Sequence, residues 1–270
     1  MTSSPSTQTP LSAAPLDETR RHWLRLGGTA LAGLSLLTCA RAATPHAVGH
    51  KFFADGRVKP FGGNTIICHL PQQDAGYASF DALLDVYRDF PHHPFMAKMA
   101  PLPPSSYHMT VLGCADDEHR KPGLWPHGVP MDAPMAECDA LLMQRLTSFS
   151  LDCELPLRMR VDDQRPGPGE GLRIEMAPVD AAEERKLRRL RDQLADLTGI
   201  RAPDHDRFTF HISLAYLVGE LHAEEREALE RARRAWHTEL ARKVPVWHLG
   251  APEFCTFDDM FAFRRRMYLV

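Results

Sequence analysis

A regular alternation of apolar and polar side chains marks residues 208–217, Phe-Thr-Phe-His-Ile-Ser-Leu-Ala-Tyr-Leu. The aromatic and β-branched content of this stretch is typical of a β-strand. Successive side chains of a strand point to opposite faces of the sheet, so Thr209, His211 and Ser213 share one face. The pattern therefore predicts a strand with one apolar face and one face that carries an imidazole and two hydroxyl groups.

A second copy of this pattern lies in the first half of the chain, at residues 106–112, Ser-Tyr-His-Met-Thr-Val-Leu. His108 and Thr110 are two positions apart and share a face, as His211 and Ser213 do. These are the only two His-x-Ser/Thr matches among the 14 histidines of the sequence. Burying such polar groups costs free energy unless they have hydrogen-bond partners or a function. The pattern favours a functional pair, and two hydrogen-bonded core histidines are the alternative.

Each half of the chain repeats one order of elements, namely strand, helix, histidine strand, helix and strand. The first half has predicted strands at 64–70, 106–113 and 154–161, a helix that Ser79 caps and a helix at 135–146. The second half has predicted strands at 172–176, 208–217 and 253–263, an edge at 267–270, a helix from Asp180 to Gly199 and a helix at 223–242. The two leading strands and the two histidines are offset by nearly the same number of positions, which indicates a divergent duplication. We expect a mixed α/β (α+β) fold whose two lobes enclose a cleft lined by both histidine strands.

The clearest linker is Pro-Gly-Pro-Gly at residues 166–169, within a segment at 162–171 that separates the two halves. Lobe one is predicted at about residues 49–161 and lobe two at about 172–270. Together they are expected to form a single bilobal domain at residues 43–270.

Residues 1–42 are predicted to be a leader that lies outside the folded domain. Their first part is rich in Ser, Thr, Pro and Ala, which is typical of a disordered start. Arg20 and Arg21 precede an apolar run at 26–38, which is too short to span a bilayer comfortably. This order is typical of a twin-arginine signal peptide, so we expect export to the periplasm and no stable membrane insertion after cleavage. An ordinary secretion signal and a lipoprotein anchor at Cys39 are the alternatives.

Composition narrows the classes of partner and cofactor. The formal net charge of −3 shows no basic excess, which argues against a duplex nucleic acid as partner. Apolar residues make up 44% and charged residues 25% of the chain, which is ordinary for a globular enzyme. Five of the six cysteines follow the leader, an odd number without a close pairing pattern, so no disulfide framework is expected. None of the five has Cys-x-x-Cys spacing, so no zinc site is expected.

The paired motifs His108-Met109-Thr110 and His211-Ile212-Ser213 resemble the signature of the 2H phosphoesterase superfamily. An uncharacterised branch of that superfamily is similar around both motifs and also at Lys51-Phe52-Phe53 and at residues 63–65. The resemblance covers about residues 49–270. It implies a LigT-like (2′,5′-RNA-ligase-like) fold with pseudo-two-fold symmetry, in which each lobe is a small, mainly antiparallel sheet with helices outside and a central cleft between the lobes.

The residues suit the opening of a cyclic phosphodiester. One neutral histidine can deprotonate the attacking water while a second, protonated histidine protonates the departing alkoxide. His108 and His211 are the candidate base and acid, and either can take either role. Thr110 and Ser213 can donate hydrogen bonds to the phosphoryl oxygens as charge develops. This chemistry requires no metal and no cofactor, and the pH–rate profile is expected to be bell-shaped.

Five further residues are candidates for substrate binding. Thr209 shares the face of His211 by strand parity. Tyr216 has the opposite parity and reaches that face only if the strand contains a bulge. Lys51, Asn64 and Arg207 could contact a phosphate or a base, and otherwise they are surface or capping residues.

We expect the substrate to be a small phosphodiester or nucleotide, with an RNA end as a further candidate, and the protein to be a monomer. A second hypothesis is a periplasmic ligand-binding protein that kept the fold without turnover. A third is a metal hydrolase that uses the histidines as ligands, although His and a hydroxyl at i and i+2 are a poor ligand set. Binding without turnover would favour the second hypothesis, and sensitivity to chelators would favour the third.

Overall fold

The computed structural model describes residues 44–73, 76–164 and 171–270. All of them belong to one compact unit. Their strands are β1 (Gly63–His69), β2 (Met99–Pro101), β3 (His108–Asp116), β4 (Leu157–Val161), β5 (Leu172–Pro178), β6 (His211–Leu217), β7 (Trp247–Leu249), β8 (Glu253–Phe257) and β9 (Arg264–Tyr268). Their α-helices are α1 (Tyr77–Asp89), α2 (Met135–Thr147), α3 (Ala181–Thr198) and α4 (Ala223–Lys243). The fold is therefore mixed α/β, as predicted.

The strands form one curled antiparallel sheet in the order β7-β4-β5-β6-β3-β1-β8-β9, with β2 added beside β6. The two histidine strands, β3 and β6, are neighbours at the centre of this order. They share a single residue pair, Met109 with Ile212, whereas β1 and β3 pair over most of their length. The sheet is thus two antiparallel halves that meet at the two histidine motifs.

The strand order is symmetric about that meeting point. On one side β6, β5, β4 and β7 follow one another, and on the other side β3, β1, β8 and β9 do. The third strand of each sequence half lies in the sheet of the other half, because β4 pairs with β5 and β7 while β8 pairs with β1. This exchange of strands means that the two lobes of the fold are not simply residues before and after the linker.

Helix ends are determined by local residues. Asp180 caps α3 by accepting a hydrogen bond from the backbone N–H of Glu183 at 2.8 Å, and Gly199 ends the helix in the left-handed region at φ +73°. Both ends were predicted from the sequence. The prediction that Ser79 caps α1 is wrong, because Gly76 precedes the helix and the Ser79 hydroxyl donates to the Gly76 carbonyl from within the first turn.

Three parts of the sheet differ from the predicted elements. The strand predicted at 253–263 ends at Phe257, and the chain returns after a turn as β9. The three-residue strands β2 and β7 were not predicted. The predicted leader at residues 1–42 and most of the predicted linker, residues 165–170, lie outside the described residues, so both stay predictions.

One apolar core connects the two halves of the sheet, with Met109, Ile212 and Leu214 fully buried near its centre. The five cysteines of the described ranges carry free thiols. No helix within these ranges combines the length and the apolar character that a bilayer crossing requires.

Candidate functional site

A cavity of about 270 Å³ opens where β3 and β6 meet. Its walls include all four residues of the two motifs, His108, Thr110, His211 and Ser213. The two histidines come from positions far apart in the sequence, and the central pairing of their strands brings them into one space. The cleft that strand parity predicts is therefore present.

Both histidines are held in the same way. The Nδ1 atom of His108 lies 2.7 Å from the carbonyl oxygen of Ser106, and Nδ1 of His211 lies 3.0 Å from the carbonyl oxygen of Thr209. A carbonyl can only accept a hydrogen bond, so each Nδ1 carries a proton and donates it. In the neutral form each ring then keeps an unprotonated Nε2, the atom that can accept or return a proton during a reaction.

Burial disfavours the charged form of both rings. It lowers the pKa of His108 to about 4, and nearby His69 and Lys51 act in the same direction. Burial also lowers the pKa of His211, against the effect of the Thr209 carbonyl. Both histidines of the free protein are thus neutral at neutral pH. A bound phosphate anion would favour protonation of either ring, because an opposite charge stabilises the imidazolium.

Lys51 and Tyr216 lie together at the cavity wall. The Lys51 ammonium is 5.2 Å from the centroid of the Phe61 ring and 5.1 Å from that of Tyr216, and it donates to the Tyr216 hydroxyl at 3.5 Å. These cation–π contacts hold the charge beside the cavity. Lys51 is thus a cation that an anionic ligand in the cavity would meet.

A bulge explains how Tyr216 reaches the same cavity as His211. One step along β5, from Leu172 to Arg173, corresponds to two steps along β6, from Ala215 to Ser213. The extra residue shifts the parity of the strand beyond it, so Tyr216 turns to the face of His211. The sequence contained the alternation but no signal for the extra residue.

The remaining candidates are placed differently. Asn64 lines the cavity, but its amide is occupied, since it donates to Asp139 Oδ1 at 2.8 Å and accepts from the Ala115 N–H at 2.9 Å. It ties β1 to α2 and is a structural residue. Thr209 and Arg207 line a different cavity, because β6 begins only at His211 and the residues before it do not follow the strand alternation. Thr209 contributes its carbonyl to His211, and its side chain does not line the cavity of the two motifs.

An aromatic wall was missed by sequence reasoning. Phe263 lies edge-on to His108 with centroids 4.3 Å apart, Phe257 follows at 5.2 Å, and Phe61 stacks on Phe257 at 6.1 Å. Phe257 and Phe263 fell in a stretch predicted as one strand, where alternation gave them no distinct role. The turn between β8 and β9 is what aims Phe263 at the His108 end of the cavity.

Comparison with known proteins agrees with this geometry. Residues 51–169 match a family model described as "2H-phosphodiest: Domain of unknown function (DUF1868)". The matched region contains His108 and Thr110 of the first motif, and the description of the model agrees with the resemblance that the two motifs carry.

A solved structure similar to this chain is the conserved protein of unknown function ATU0111 from Agrobacterium tumefaciens str. C58. It shows 29% identity and a TM-score of 0.77 over 86% of this chain and 96% of that chain. The protein TT0787 of Thermus thermophilus shows 17% identity and a TM-score of 0.36 over 72% of this chain and 86% of that chain. No curated protein matches significantly.

Two groups of side chains in the described ranges have donor atoms close enough to hold a metal ion, His69-Glu253-Cys255 and Asp192-His205-Asp206. In the first, the Glu253 carboxylate already accepts from His69 Nδ1 at 2.9 Å and lies 3.7 Å from the Arg265 guanidinium. In the second, Asp192 is paired with His205 at 3.0 Å. Protein side chains thus already engage a carboxylate in both groups, and neither group includes a residue of the two motifs.

Proposed function

We propose that the protein is a metal-independent phosphodiesterase that opens a cyclic phosphate or a small nucleotide-like phosphodiester by two-histidine general acid/base catalysis. The observation that carries this proposal is the shared cavity, in which His108 and His211 have equivalent Nδ1 anchors and each is followed by a hydroxyl residue. Such a pair supplies both proton transfers that the reaction needs.

In the proposed reaction, the neutral histidine takes a proton from water at its Nε2. The water oxygen forms a bond to phosphorus as the bond from phosphorus to the ester oxygen breaks. The second histidine, protonated in the complex, gives its Nε2 proton to the departing alkoxide. Thr110 and Ser213 donate hydrogen bonds to the phosphoryl oxygens, and the Lys51 ammonium offsets their negative charge.

The cavity also limits the substrate. A space of about 270 Å³ suits a group the size of a nucleoside monophosphate more than a folded nucleic acid. Phe263, which is part-exposed at the His108 end of the cavity, offers an aromatic surface on which a base could stack, and the buried rings of Phe61 and Phe257 support it from behind. A 2′,3′-cyclic nucleotide combines the required phosphodiester with such a base.

The decisive experiment is hydrolysis of a panel of 2′,3′-cyclic nucleotides and linear 2′,5′ and 3′,5′ dinucleotides in excess chelator. Turnover is expected to persist with chelator. His108→Ala and His211→Ala should each reduce it by roughly a hundredfold or more, because each removes a proton-transfer group.

His222→Ala is a matched control, because this histidine caps α4 at the surface. Full activity in either motif variant would contradict the site assignment. Loss of activity with chelator would favour a metal hydrolase. Ligand binding without turnover across the panel would favour the binding-protein hypothesis.

A further inference from the structure

The cavity of the two motifs continues along β3 beyond the motif residues. Its wall there is formed by Gly113, Cys114, Ala115, Asp116, His46 and His119. We call these six residues the far end of the cavity. On β1, the partner of Thr110 is Ile67 and the partner of Asp116 is Gly63. These two partners are four residues apart, so the far end reaches about 13 Å from the level of the first motif.

Gly113 leaves open space between the motifs and the far end. It pairs with Thr65, midway between the two levels on β1, and it is exposed although Leu112 before it is buried. Its backbone is outside the left-handed region that favours glycine. A Cβ placed on Gly113 would meet no atom of the described residues within 4 Å, apart from its chain neighbours. The backbone therefore does not require glycine here, and the missing side chain leaves room for a ligand that extends from the motifs.

An imidazole and a carboxylate at the far end orient each other. The Nδ1 atom of His119 lies 2.8 Å from Asp116 Oδ1 and 3.1 Å from Asp116 Oδ2. An ionised carboxylate can only accept, so Nδ1 donates its proton and Nε2 of the neutral ring remains an acceptor. Asp116 Oδ1 also accepts from the backbone N–H groups of Glu118 at 3.0 Å and His119 at 2.9 Å. The far end thus holds two oriented groups that can accept hydrogen bonds from a ligand.

The two chain segments that form the far end are tied together. His50 Nδ1 lies 2.5 Å from Glu118 Oε2, and the His50 ring stacks on His46 with centroids 5.4 Å apart. His46 precedes β1 and Glu118 follows β3, so this contact fixes one segment relative to the other. A subsite that is formed in advance loses less conformational freedom when a ligand binds.

The charges at the two ends of the cavity differ. Asp116, Asp117 and Glu118 are three successive acidic residues at the far end, and the Arg120 guanidinium is engaged by Asp117 at 2.6 Å. The Lys51 ammonium, by contrast, acts on the two motif histidines. A phosphate is therefore attracted to the motifs and repelled from the far end. An uncharged group with several hydroxyls fits the far end better, because a hydroxyl can donate to the carboxylate and to the imidazole.

We propose that the far end is a subsite for hydroxyl groups, and that the substrate is a phosphodiester in which one ester group is a sugar or a sugar alcohol. This inference rests on the proposed function and deepens it. Gly113 determines specificity by leaving room for that group, and Asp116 and His119 do so by accepting its hydrogen bonds. An extended six-carbon polyol reaches about 10 Å from phosphorus and a hydrogen bond adds about 3 Å, which matches the length of the cavity.

The kinetic test uses two chromogenic diesters, p-nitrophenyl phosphate esterified either to n-hexanol or to a terminal carbon of sorbitol. The two chains have the same length and differ in their hydroxyl groups. In the wild-type protein, kcat/KM is expected to be about tenfold higher for the sorbitol diester, the effect of one hydrogen bond to a charged group. A ratio near one in the wild-type protein would overturn the proposal.

Two variants locate this preference. Gly113→Val should bring the ratio close to one, because its side chain fills the open space, and His119→Ala should lower it by removing an acceptor. Gly250→Val is the matched control, because a Cβ on this exposed glycine between β7 and β8 also meets no atom within 4 Å among the described residues. Since His119→Ala leaves the β3 backbone unaltered, it tests the proposal even if Gly113→Val folds poorly. An unchanged ratio in either variant would overturn the proposal.

A binding test separates this proposal from the proposed activity, because it requires no turnover. In the His108→Ala/His211→Ala protein, titration with the sorbitol diester should shift the backbone amide resonances of Asp116 and His119 to saturation. The hexanol diester at the same concentrations should not shift them. Absence of these shifts would refute the subsite even if the wild-type enzyme is active. Shifts together with an inactive wild-type enzyme would uphold the subsite and refute the proposed function.

Discussion

At the scale of single residues, the environment of the two histidines makes a prediction about pH. A histidine acts as a base only when neutral, so the rate rises as the pH passes above its pKa. A histidine acts as an acid only when protonated, so the rate falls as the pH passes above its pKa. Burial lowers the pKa of His108 to about 4 and lowers the pKa of His211 from its ordinary 6.5.

We therefore expect kcat/KM, which reports the free enzyme, to follow a bell-shaped profile with its maximum between about pH 4 and 6.5. The measurement is the pH dependence of kcat/KM on a cyclic nucleotide at constant ionic strength. A maximum on the alkaline side of this interval would show that the buried rings are not the titrating groups.

Residue positions that depend on strand parity were predictable, and positions that depend on irregular backbone were not. His108 and Thr110 share the cavity with His211 and Ser213 because a period of two places them there. The side chain of Tyr216 does not follow this alternation, because β6 has a bulge before it. Thr209 does not follow it either, because β6 begins only at His211. Phe263 of the aromatic wall is positioned by the turn between β8 and β9. The direction of that turn depends on tertiary contacts, which the alternation of apolar and polar residues does not encode.

At the scale of elements, the N-terminus of α3 offers a test of local stabilisation. Asp180→Ala removes the cap on the Glu183 N–H and a 3.3 Å contact with Arg158. We expect the free energy of unfolding to fall by about 1 kcal/mol, as for other N-cap deletions. Urea denaturation measures this change. Asp163→Ala is the matched control, because within the described residues that exposed carboxylate contacts the neighbouring Gln164 alone, and it should leave stability nearly unchanged.

Long periodic elements were predicted well because their own residues specify them. The apolar stripe of α3, its aspartate cap and its terminal glycine are all local signals. The strands β2 and β7 have three residues each, which is too few for a recognisable alternation of apolar and polar residues. They form because they pair with the free edges of longer strands, β2 with β6 and β7 with β4. The end of β8 at Phe257 likewise depends on where β9 returns to pair with it.

At the scale of the whole molecule, the exchanged strands predict that the two sequence halves depend on each other. Without β8 the outer edge of β1 would be unpaired, and without β5 and β7 the strand β4 would have no partner. We expect a chain cut within residues 165–170, through an inserted protease site, to stay assembled.

The measurement is size-exclusion chromatography of the cut chain before and after denaturation. The two fragments should elute together before denaturation and separate only when denatured, with the uncut chain as control. Fragments that separate as two folded species without denaturant would contradict this interdependence.

The exchange of strands also has a consequence for ancestry. Under the predicted duplication, two copies of one ancestral half could pair the open edge of each first strand by exchanging their third strands, as an intertwined homodimer does. In that dimer the two histidines would have been identical residues related by an exact two-fold axis. One fused chain does not require that they stay identical, and here their cross-strand neighbours differ, His69 beside His108 and Glu175 beside His211. Different neighbours beside two equivalent rings are thus something that a fused chain can encode and a symmetric homodimer cannot.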